Sequence, residues 1–344
     1  MKALILNGAQ NLVLKEIEDP GNPSPGQVRI KVGAVGICGS DVHYFEHGRI
    51  GDFIVHSPMI LGHEAAGTVE SVGQGVETLA PGDRVAMEPG IPCGECKVCR
   101  MDRYNLCQDV KFWATPPVNG AITEYVLHPA NYTYRLPASL TVEDGALIEP
   151  LAVAVHACLR GKVGAGNSVA ISGAGTIGCM TLLVARAFGA HTIIISDLIP
   201  ERLARAESLG ATSVINVSET SFVDEVRRIT GGTGVDIGID SSGNPCVPQD
   251  LIRTSAPAGR IVLVGMGKQP IEINTIGAMV NEVDISTVFR YANTYQAAID
   301  LVSRGDIEIS SLITNRFPME QAIEAFKFAQ NPKPETCKIM ITSS

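Results

Sequence analysis

The chain has 344 residues, of which 45% are hydrophobic and 18% are charged, and its formal net charge is −9. That composition excludes intrinsic disorder, and the acidic balance argues against a nucleic-acid partner. No apolar run approaches the roughly 20 residues that a bilayer-spanning helix needs, and the first residues lack the cleavage site of a signal peptide. We therefore expect a cytoplasmic protein without a membrane partner.

The length predicts two domains, because one domain commonly has on the order of 100–200 residues. The nine cysteines are an odd number, which argues against a secreted disulfide framework and for a reducing compartment. Five of them belong to motifs described below. The other four have no regular spacing and are expected to be small buried side chains: Cys158, Cys179, Cys246 and Cys337.

Short β-type runs, separated by glycine and proline, fill the first 150 residues. Apolar and polar residues alternate in them, as in half-buried strands. The pattern predicts strands over residues 1–7, 28–32, 66–72 and 83–87. We therefore expect an irregular, antiparallel, β-rich domain in this part of the chain.

The character of the sequence changes near Glu149 and Pro150, after which predicted strands and helices alternate. Strands are predicted over 168–172, 192–196, 213–216, 235–240, 259–265 and 284–289, and helices over 177–188, 200–209, 221–230 and 248–256. Such an alternation predicts a parallel, doubly wound sheet. Two amphipathic helices and a strand over 338–341 complete the chain; Ala322, Ile323, Phe326 and Ala329 share one face of the second helix.

A GxGxxG run made by Gly173, Gly175 and Gly178 is a weak signal alone, because glycine is common in this chain. Its context is informative, since it follows a predicted strand, opens a helix and precedes a second strand that ends in Asp197. The helix N-terminus would bind a pyrophosphate, and Asp197 would accept hydrogen bonds from a ribose and repel a 2′-phosphate. This pattern favours NAD over NADP. For Arg202 three roles stay open: stacking on the adenine, pairing with Asp197, and holding a 2′-phosphate.

Four cysteines follow the spacing C-x2-C-x2-C-x7-C: Cys93, Cys96, Cys99 and Cys107. Four thiolates at loop spacing can close a tetrahedron around Zn²⁺, and an iron–sulfur cluster is the other group that four cysteines bind. Unrelated buried cysteines would not produce this regularity. Because sulfur fills every position and leaves none for substrate, we expect a structural site.

Four further candidate metal ligands are dispersed: Cys38, His63, Glu64 and Glu149. Each of them is also compatible with an ordinary core or surface position. Their spacing alone does not bring them together.

Several segments resemble the zinc-dependent medium-chain dehydrogenases, and most of all the sorbitol (polyol) dehydrogenases with their xylitol dehydrogenase relatives. These segments are GICGSDVHYFEHGRIGDF, ILGHEAAGTVESVGQGV, PGDRVAMEPGIPCGECKVC, ALIEPLAVAVHA and GAGTIG. The resemblance extends over essentially the whole chain. It implies an α/β fold in which a β-rich, GroES-like catalytic domain (1–150 and 291–344) binds zinc. A Rossmann domain (151–290) would bind NAD, and the protein would be a homo-oligomer, most often a tetramer.

The resemblance implies that Cys38, His63 and Glu64 hold a catalytic zinc, and that Glu149 binds it through its water or exchanges with the adjacent ligand. The chain would then hold two zinc ions, one catalytic and one structural. The implied reaction is the reversible, NAD-linked oxidation of a sugar alcohol to a ketose. Another secondary alcohol, such as threonine, butanediol or an acidic sugar, stays open as the substrate. A non-catalytic NAD(P)H-binding relative is disfavoured, because the chain keeps the zinc ligands.

The remaining site residues are also implied by the resemblance. Ser40 and His43 would relay the proton, and the substrate would meet Tyr44, Glu149, Arg290 and Tyr291. The cofactor would meet the glycines, Asp197 and Arg202 together with Ile177, Val264, Gly265, Met266, Val288, Phe289 and Arg290.

Overall fold

The computed structural model describes residues 1–267 and 270–343, which form two compact units. Unit 1 comprises Met1–Glu149 and Tyr295–Ser344, and unit 2 comprises Pro150–Thr294. Among the described residues, no helix combines the length and the apolar character that crossing a bilayer requires.

The first part of unit 1 consists mainly of short strands. These are β1 (Lys2–Gly8), β2 (Asn11–Glu16), β3 (Gln27–Gly36), β4 (Arg49–Ile50), β5 (Phe53–Ile54), β6 (Met59–Ile60), β7 (Glu64–Val72), β8 (Arg84–Met87), β9 (Gly90–Ile91), β10 (Lys111–Phe112), β11 (Tyr125–Pro129) and β12 (Thr133–Arg135). The helix α1 (Gly39–His47) accompanies them. A second helix, α2 (Val142–Gly161), begins in unit 1 and continues beyond Pro150 into the sequence of unit 2.

Unit 2 alternates strands and helices. Its strands are β13 (Ser168–Ser172), β14 (Thr192–Asp197), β15 (Ser213–Asn216), β16 (Val235–Asp240), β17 (Ser255–Leu263) and β18 (Asp284–Thr287). Its helices are α3 (Thr176–Ala187), α4 (Pro200–Ser208), α5 (Phe222–Ile229), α6 (Val247–Thr254) and α7 (Thr275–Val280). The strands are parallel and lie in the order β15-β14-β13-β16-β17-β18. This is the Rossmann strand order.

The end of the chain returns to unit 1 through α8 (Tyr295–Ser303), β19 (Ile313–Pro318), α9 (Ala322–Gln330) and β20 (Lys338–Thr342). The main sheet of unit 1 has the order β12-β8-β7-β3-β20-β19, and β11 also pairs with β3. Since β20 is antiparallel to β3, the last strand of the chain lies beside the strand that leads to Cys38. A β-rich unit and a Rossmann unit together confirm the predicted α/β class.

Apolar packing follows the predicted patterns. On α9 the Ala322 and Phe326 side chains are fully buried, and the Phe326 ring meets the edge of Phe45 on α1 at 5.9 Å between centroids. In unit 2 the run Ile193–Ile195 is buried along its whole length. A strand buried on both faces needs such a run rather than an alternation of apolar and polar residues.

Helix α2 is the main element that the sequence patterns did not predict. It contains Pro150, which removes one backbone hydrogen bond and is normally excluded from helix interiors. The residues Ala146–Leu151 that surround this proline are buried. Apolar burial therefore maintains a helix that local propensity disfavours.

Candidate active site and metal centres

Three of the dispersed candidate ligands lie together in unit 1. The ligand atoms of Cys38, His63 and Glu64 are all within 4.8 Å of one another. Cys38 follows the end of β3 and precedes α1, whereas His63 and Glu64 stand at the start of β7. The antiparallel pairing of β3 with β7 sets Gly36 opposite Glu64, and it thereby brings two distant segments together.

Asp41 organises this cluster, although the sequence patterns did not single it out. Its fully buried carboxylate accepts the Cys38 N–H at 3.1 Å and the Gly62 N–H at 3.0 Å. One of its oxygens lies 3.6 Å from Nδ1 of His63. A carboxylate behind a ligating histidine fixes the orientation of the ring and raises its basicity. The signal in the sequence was the acidic residue in the first turn of the helix that follows Cys38.

The electrostatics of His63 reflect these neighbours. Burial alone would lower the pKa of the imidazole. The Asp41 carboxylate and the Cys38 sulfur outweigh burial and hold the pKa of His63 well above its ordinary value.

Lys338 is a second residue that the sequence patterns missed. Its ammonium donates to both carboxylate oxygens of Glu64 at 2.7 Å and to the Ile37 carbonyl at 3.1 Å, and its side chain is 4% exposed. Burial would lower the pKa of Lys338, but the charges of Glu64 and Cys38 raise it above its ordinary value. The pairing arises because β20, which begins at Lys338, lies against β3.

Gly36 makes room for that ion pair. A Cβ at this position would overlap with Oε2 of Glu64. Strand β3 lies between β7, which contains Glu64, and β20, which contains Lys338. The Glu64 carboxylate therefore lies over Gly36 of this middle strand. A larger residue at position 36 would displace the carboxylate.

A thiol, an imidazole and a carboxylate are donors that Zn²⁺ accepts, so these residues fit a zinc site with a free coordination position. Glu149 is also buried, and its charge contributes to the raised pKa of Lys338. Among the described residues, the group of mutually close ligand atoms contains Glu64 and does not contain Glu149.

The four spaced cysteines also converge. Their closest sulfur–sulfur distances are 3.4 Å for Cys96 and Cys99, 3.6 Å for Cys107 and Cys93, and 3.9 Å for Cys93 and Cys99. A tetrahedron with Zn–S bonds of about 2.3 Å has edges of about 3.8 Å, so the cysteines fit a zinc ion. N–H groups of Glu95 and Cys96 lower the pKa of Cys93 to about 7, whereas burial and the Cys96 sulfur raise the pKa of Cys99 to about 12.

The glycine-rich run of unit 2 forms the turn between β13 and α3. Gly173 has a φ of 94°, and a Cβ on Gly178 would overlap with the Gly173 carbonyl oxygen. Gly175 is the N-cap of α3, and Ile177 lies in the first turn of that helix. The turn therefore needs its glycines, and the N–H groups at the start of α3 could bind a phosphate.

Asp197 ends β14 beside this turn. Its carboxylate accepts the Ala174 N–H at 2.8 Å and the N–H groups of Leu198 and Ile199 at 2.8 and 3.0 Å. Nη1 of Arg202 lies 4.0 Å from the same carboxylate, at the limit of an ion pair. Of the three roles open to Arg202, this geometry agrees with a weak pairing to Asp197.

The other predicted site residues lie in both units. On α1, Ser40 and His43 are half-buried and Tyr44 is buried. In unit 2, the N–H groups of Val264 and Gly265 both donate to the Asp240 carbonyl at 2.9 Å. The exposed Met266 follows them.

The segment after β18 contains the last predicted group. The Val288 N–H donates to the Leu263 carbonyl at 2.9 Å. The Arg290 guanidinium lies 4.7 Å from the centre of the Phe289 ring, and Tyr291 is buried. Arg290 has a φ of 56°, an uncommon backbone conformation for a residue with a side chain.

The cysteines without a motif divide into two kinds. Cys158 and Cys179 are fully buried, as expected. The expectation is wrong for Cys246, which is exposed at the start of α6, and Cys337 is only half-buried. A loop position can accept a cysteine without packing constraints, which residue type alone does not reveal.

Comparison with known proteins places both units in one family. The family description "Alcohol dehydrogenase GroES-like domain" matches residues 24–138, and "Zinc-binding dehydrogenase" matches residues 176–304. The sorbitol dehydrogenase of Bacillus subtilis (strain 168) is 42% identical over 342 residues, which cover 99% of this chain and 97% of that protein. The sorbitol dehydrogenase of Homo sapiens is 44% identical over 327 residues, which cover 94% and 91% of the two chains.

A solved structure agrees with these matches. It is an Escherichia coli oxidoreductase/dehydrogenase of unknown specificity that is 39% identical to this chain, with a TM-score of 0.96. The alignment covers 100% of this chain and 99% of that one. The chain therefore belongs to the zinc-dependent medium-chain dehydrogenases, in the group that contains the sorbitol dehydrogenases.

Proposed function

We propose that the protein is an NAD-dependent zinc enzyme that reversibly oxidises a sugar alcohol to a ketose. The observation that carries this proposal is the cluster of Cys38, His63 and Glu64, in a chain 42% identical to a sorbitol dehydrogenase. A thiol, an imidazole and a carboxylate leave a coordination position for a hydroxyl group of the substrate.

Cys38 and His63 would hold the zinc, with Glu64 as the adjacent carboxylate and Glu149 as the acid that binds through water or exchanges with it. Zinc bound here would act as a Lewis acid that lowers the pKa of a substrate hydroxyl. Asp41 would keep His63 in position, and Lys338 would hold the Glu64 carboxylate within the cluster. Cys93, Cys96, Cys99 and Cys107 would hold a second, structural zinc.

The α1 helix supplies the proposed path of the proton. Ser40 lies two residues after Cys38 in the sequence, and its hydroxyl would take the proton from the substrate and pass it to His43. Tyr44, Glu149, Arg290 and Tyr291 would contact the hydroxyl groups of the polyol.

Unit 2 would bind NAD, which accepts the hydride in this class of reaction. The turn of Gly173, Gly175 and Gly178, with Ile177, would bind the pyrophosphate, and Asp197 would accept hydrogen bonds from the adenosine ribose. Arg202 would stay near Asp197. The residues proposed to line the nicotinamide are Val264, Gly265, Met266, Val288, Phe289 and Arg290.

We also propose a cytoplasmic homo-oligomer, with a tetramer as the favoured form. The odd number of cysteines, four of them at the spacing of metal ligands, supports a reducing compartment. The support for an oligomer is an apolar surface at one edge of unit 2. Ile276, Met279 and Val280 of α7 are 71–77% exposed, and Ile285 of the edge strand β18 is 41% exposed.

The test is an NAD-coupled panel of pentitols and hexitols, with butanediol and threonine as the competing substrates and zinc content measured on the same samples. We expect NADH formation with at least one polyol and its loss after treatment with a chelator. Turnover of butanediol or threonine alone would contradict the polyol assignment. Turnover by protein without bound zinc would contradict the proposed mechanism.

A further inference from the structure

A buried carboxylate lies beside the four-cysteine site. Glu88 is 1% exposed, and its two oxygens accept hydrogen bonds from the Tyr104 hydroxyl at 2.7 Å and the Tyr134 hydroxyl at 3.0 Å. Within the part of the chain that the structure describes, no lysine, arginine or histidine forms an ion pair with it. Burial raises the pKa of Glu88, against the effect of the two hydroxyls.

The two tyrosines belong to different parts of unit 1. Tyr134 is in β12, which pairs with β8, the strand that Glu88 directly follows. Its hydrogen bond therefore stays within the main sheet. Tyr104 is in the loop of residues 92–110 that contains the four cysteines, here called the cysteine lobe, and its hydrogen bond joins the lobe to the sheet.

The cysteine lobe has little core of its own. Its base is closed by the pairing of β9 with β10, and only Asn105 and Cys107 of its residues are buried. Cys93, by contrast, is exposed. Without a metal, few apolar contacts would keep four cysteines in one place.

Tyr104 connects the carboxylate to the metal ligands through its own backbone. Its carbonyl accepts the Cys107 N–H at 3.0 Å, and the Cys107 sulfur in turn accepts the Cys93 N–H at 3.5 Å. A displacement of Tyr104 would therefore act on Cys107 and, through the Cys107 sulfur, on the backbone of Cys93. The side chain of Glu88 and the sulfur atoms of the lobe are connected by one short series of hydrogen bonds.

We propose that Glu88 is a positioning residue of the four-cysteine site. Glu88 holds the cysteine lobe on the sheet through Tyr104, and it thereby positions Cys107 and Cys93 for zinc. The bond does not require the metal, so the lobe stays docked when zinc leaves. Zinc then binds to cysteines that are already close together, so less conformational entropy is lost when it binds. This inference rests on the proposed zinc at the four cysteines.

The experiment compares Tyr104→Phe with Tyr134→Phe, because each removes one hydroxyl from the same carboxylate and keeps the ring. Zinc affinity of the lobe is measured on the purified full-length protein by competition with a chromogenic chelator. Alkylation of Cys93, Cys96, Cys99 and Cys107 is followed by mass spectrometry, which distinguishes this site from Cys38. Glu88→Gln is the second variant, since an amide keeps the shape but accepts at only one atom.

We expect Tyr104→Phe to weaken zinc binding by the lobe roughly tenfold or more and to speed alkylation. Without the hydrogen bond to Glu88 the zinc-free lobe is no longer docked, so zinc must order it on binding. Glu88→Gln should change both readouts in the same direction, and Tyr134→Phe should change the affinity less than about threefold. A bond that only adds stability would lower the melting temperature of the zinc-loaded and zinc-free proteins equally and leave the affinity unchanged.

Equal zinc affinity and equal alkylation in wild type, Tyr104→Phe and Glu88→Gln would overturn the inference. So would an equal loss of affinity in Tyr104→Phe and Tyr134→Phe. Protein that contains no zinc at the four cysteines would contradict the proposed structural site and this inference together. Polyol oxidation, measured separately, tests the proposed reaction independently of these outcomes.

Discussion

The two candidate metal clusters of unit 1 are built in opposite ways. The four cysteines lie within 15 consecutive residues, and a loop with little buried surface brings them together. Cys38 comes from one segment and the consecutive residues His63 and Glu64 from another, and the buried charges of Asp41 and Lys338 lie beside them. A local cluster can be disturbed without changing the sheet. The dispersed cluster depends on the pairing of β7, β3 and β20, so changes there should affect both chemistry and stability.

The largest difference between the clusters should be in catalysis. Cys38→Ala removes a proposed ligand of the catalytic zinc, and we expect NAD-linked polyol oxidation to fall on the order of 10⁴-fold, because a metal's electrostatic contribution is worth several kcal/mol. NADH binding, measured by fluorescence titration, should stay unchanged, since the dinucleotide site belongs to unit 2. Activity within tenfold of wild type would exclude Cys38 from the catalytic centre.

The ion pair of Lys338 should dominate the stability of the dispersed cluster. Lys338→Met leaves Glu64 as an unpaired buried charge, and we expect the zinc-free protein to lose about 3–5 kcal/mol of unfolding free energy. The matched control is Lys2→Met, which breaks the exposed pair with Glu320 and should leave the unfolding free energy nearly unchanged. Denaturant titrations measure both. Equal effects of the two substitutions would show that burial adds nothing to the Lys338 pair.

A smaller effect is expected from the residue behind the histidine. Asp41→Asn keeps the size of the side chain but removes the charge beside His63, and the affinity of the catalytic zinc should fall about 10- to 100-fold. The exposed Asp52→Asn is the control and should leave zinc affinity unchanged. Competition with a chelator gives both affinities. If Asp41→Asn binds zinc as tightly as wild type, the role of Asp41 is limited to its hydrogen bonds with the backbone N–H groups of Cys38 and Gly62.

The same contrast explains how much of the site could be predicted from the sequence. The spacing of the four cysteines and the glycine run with Asp197 are local signals, and periodicity predicted most strands of the Rossmann unit. Asp41, Lys338 and the role of Gly36 were missed, because they depend on which strands pair. Lys338 meets Glu64 across 274 residues, a separation that no local pattern spans. Helix α2 was missed because a proline such as Pro150 indicates the end of a helix in the sequence. In the structure the helix continues through Pro150, and burial of its apolar residues stabilises it.

Zinc content per subunit tests most directly the claim that the protein has two differently built zinc sites. We expect two zinc ions in wild type and one each in Cys38→Ala and Cys96→Ala, with polyol oxidation abolished only in Cys38→Ala. Elemental analysis of the purified proteins, combined with the NAD-linked assay, gives these values. A single zinc ion in wild type, or loss of both ions in Cys96→Ala, would contradict two independent sites.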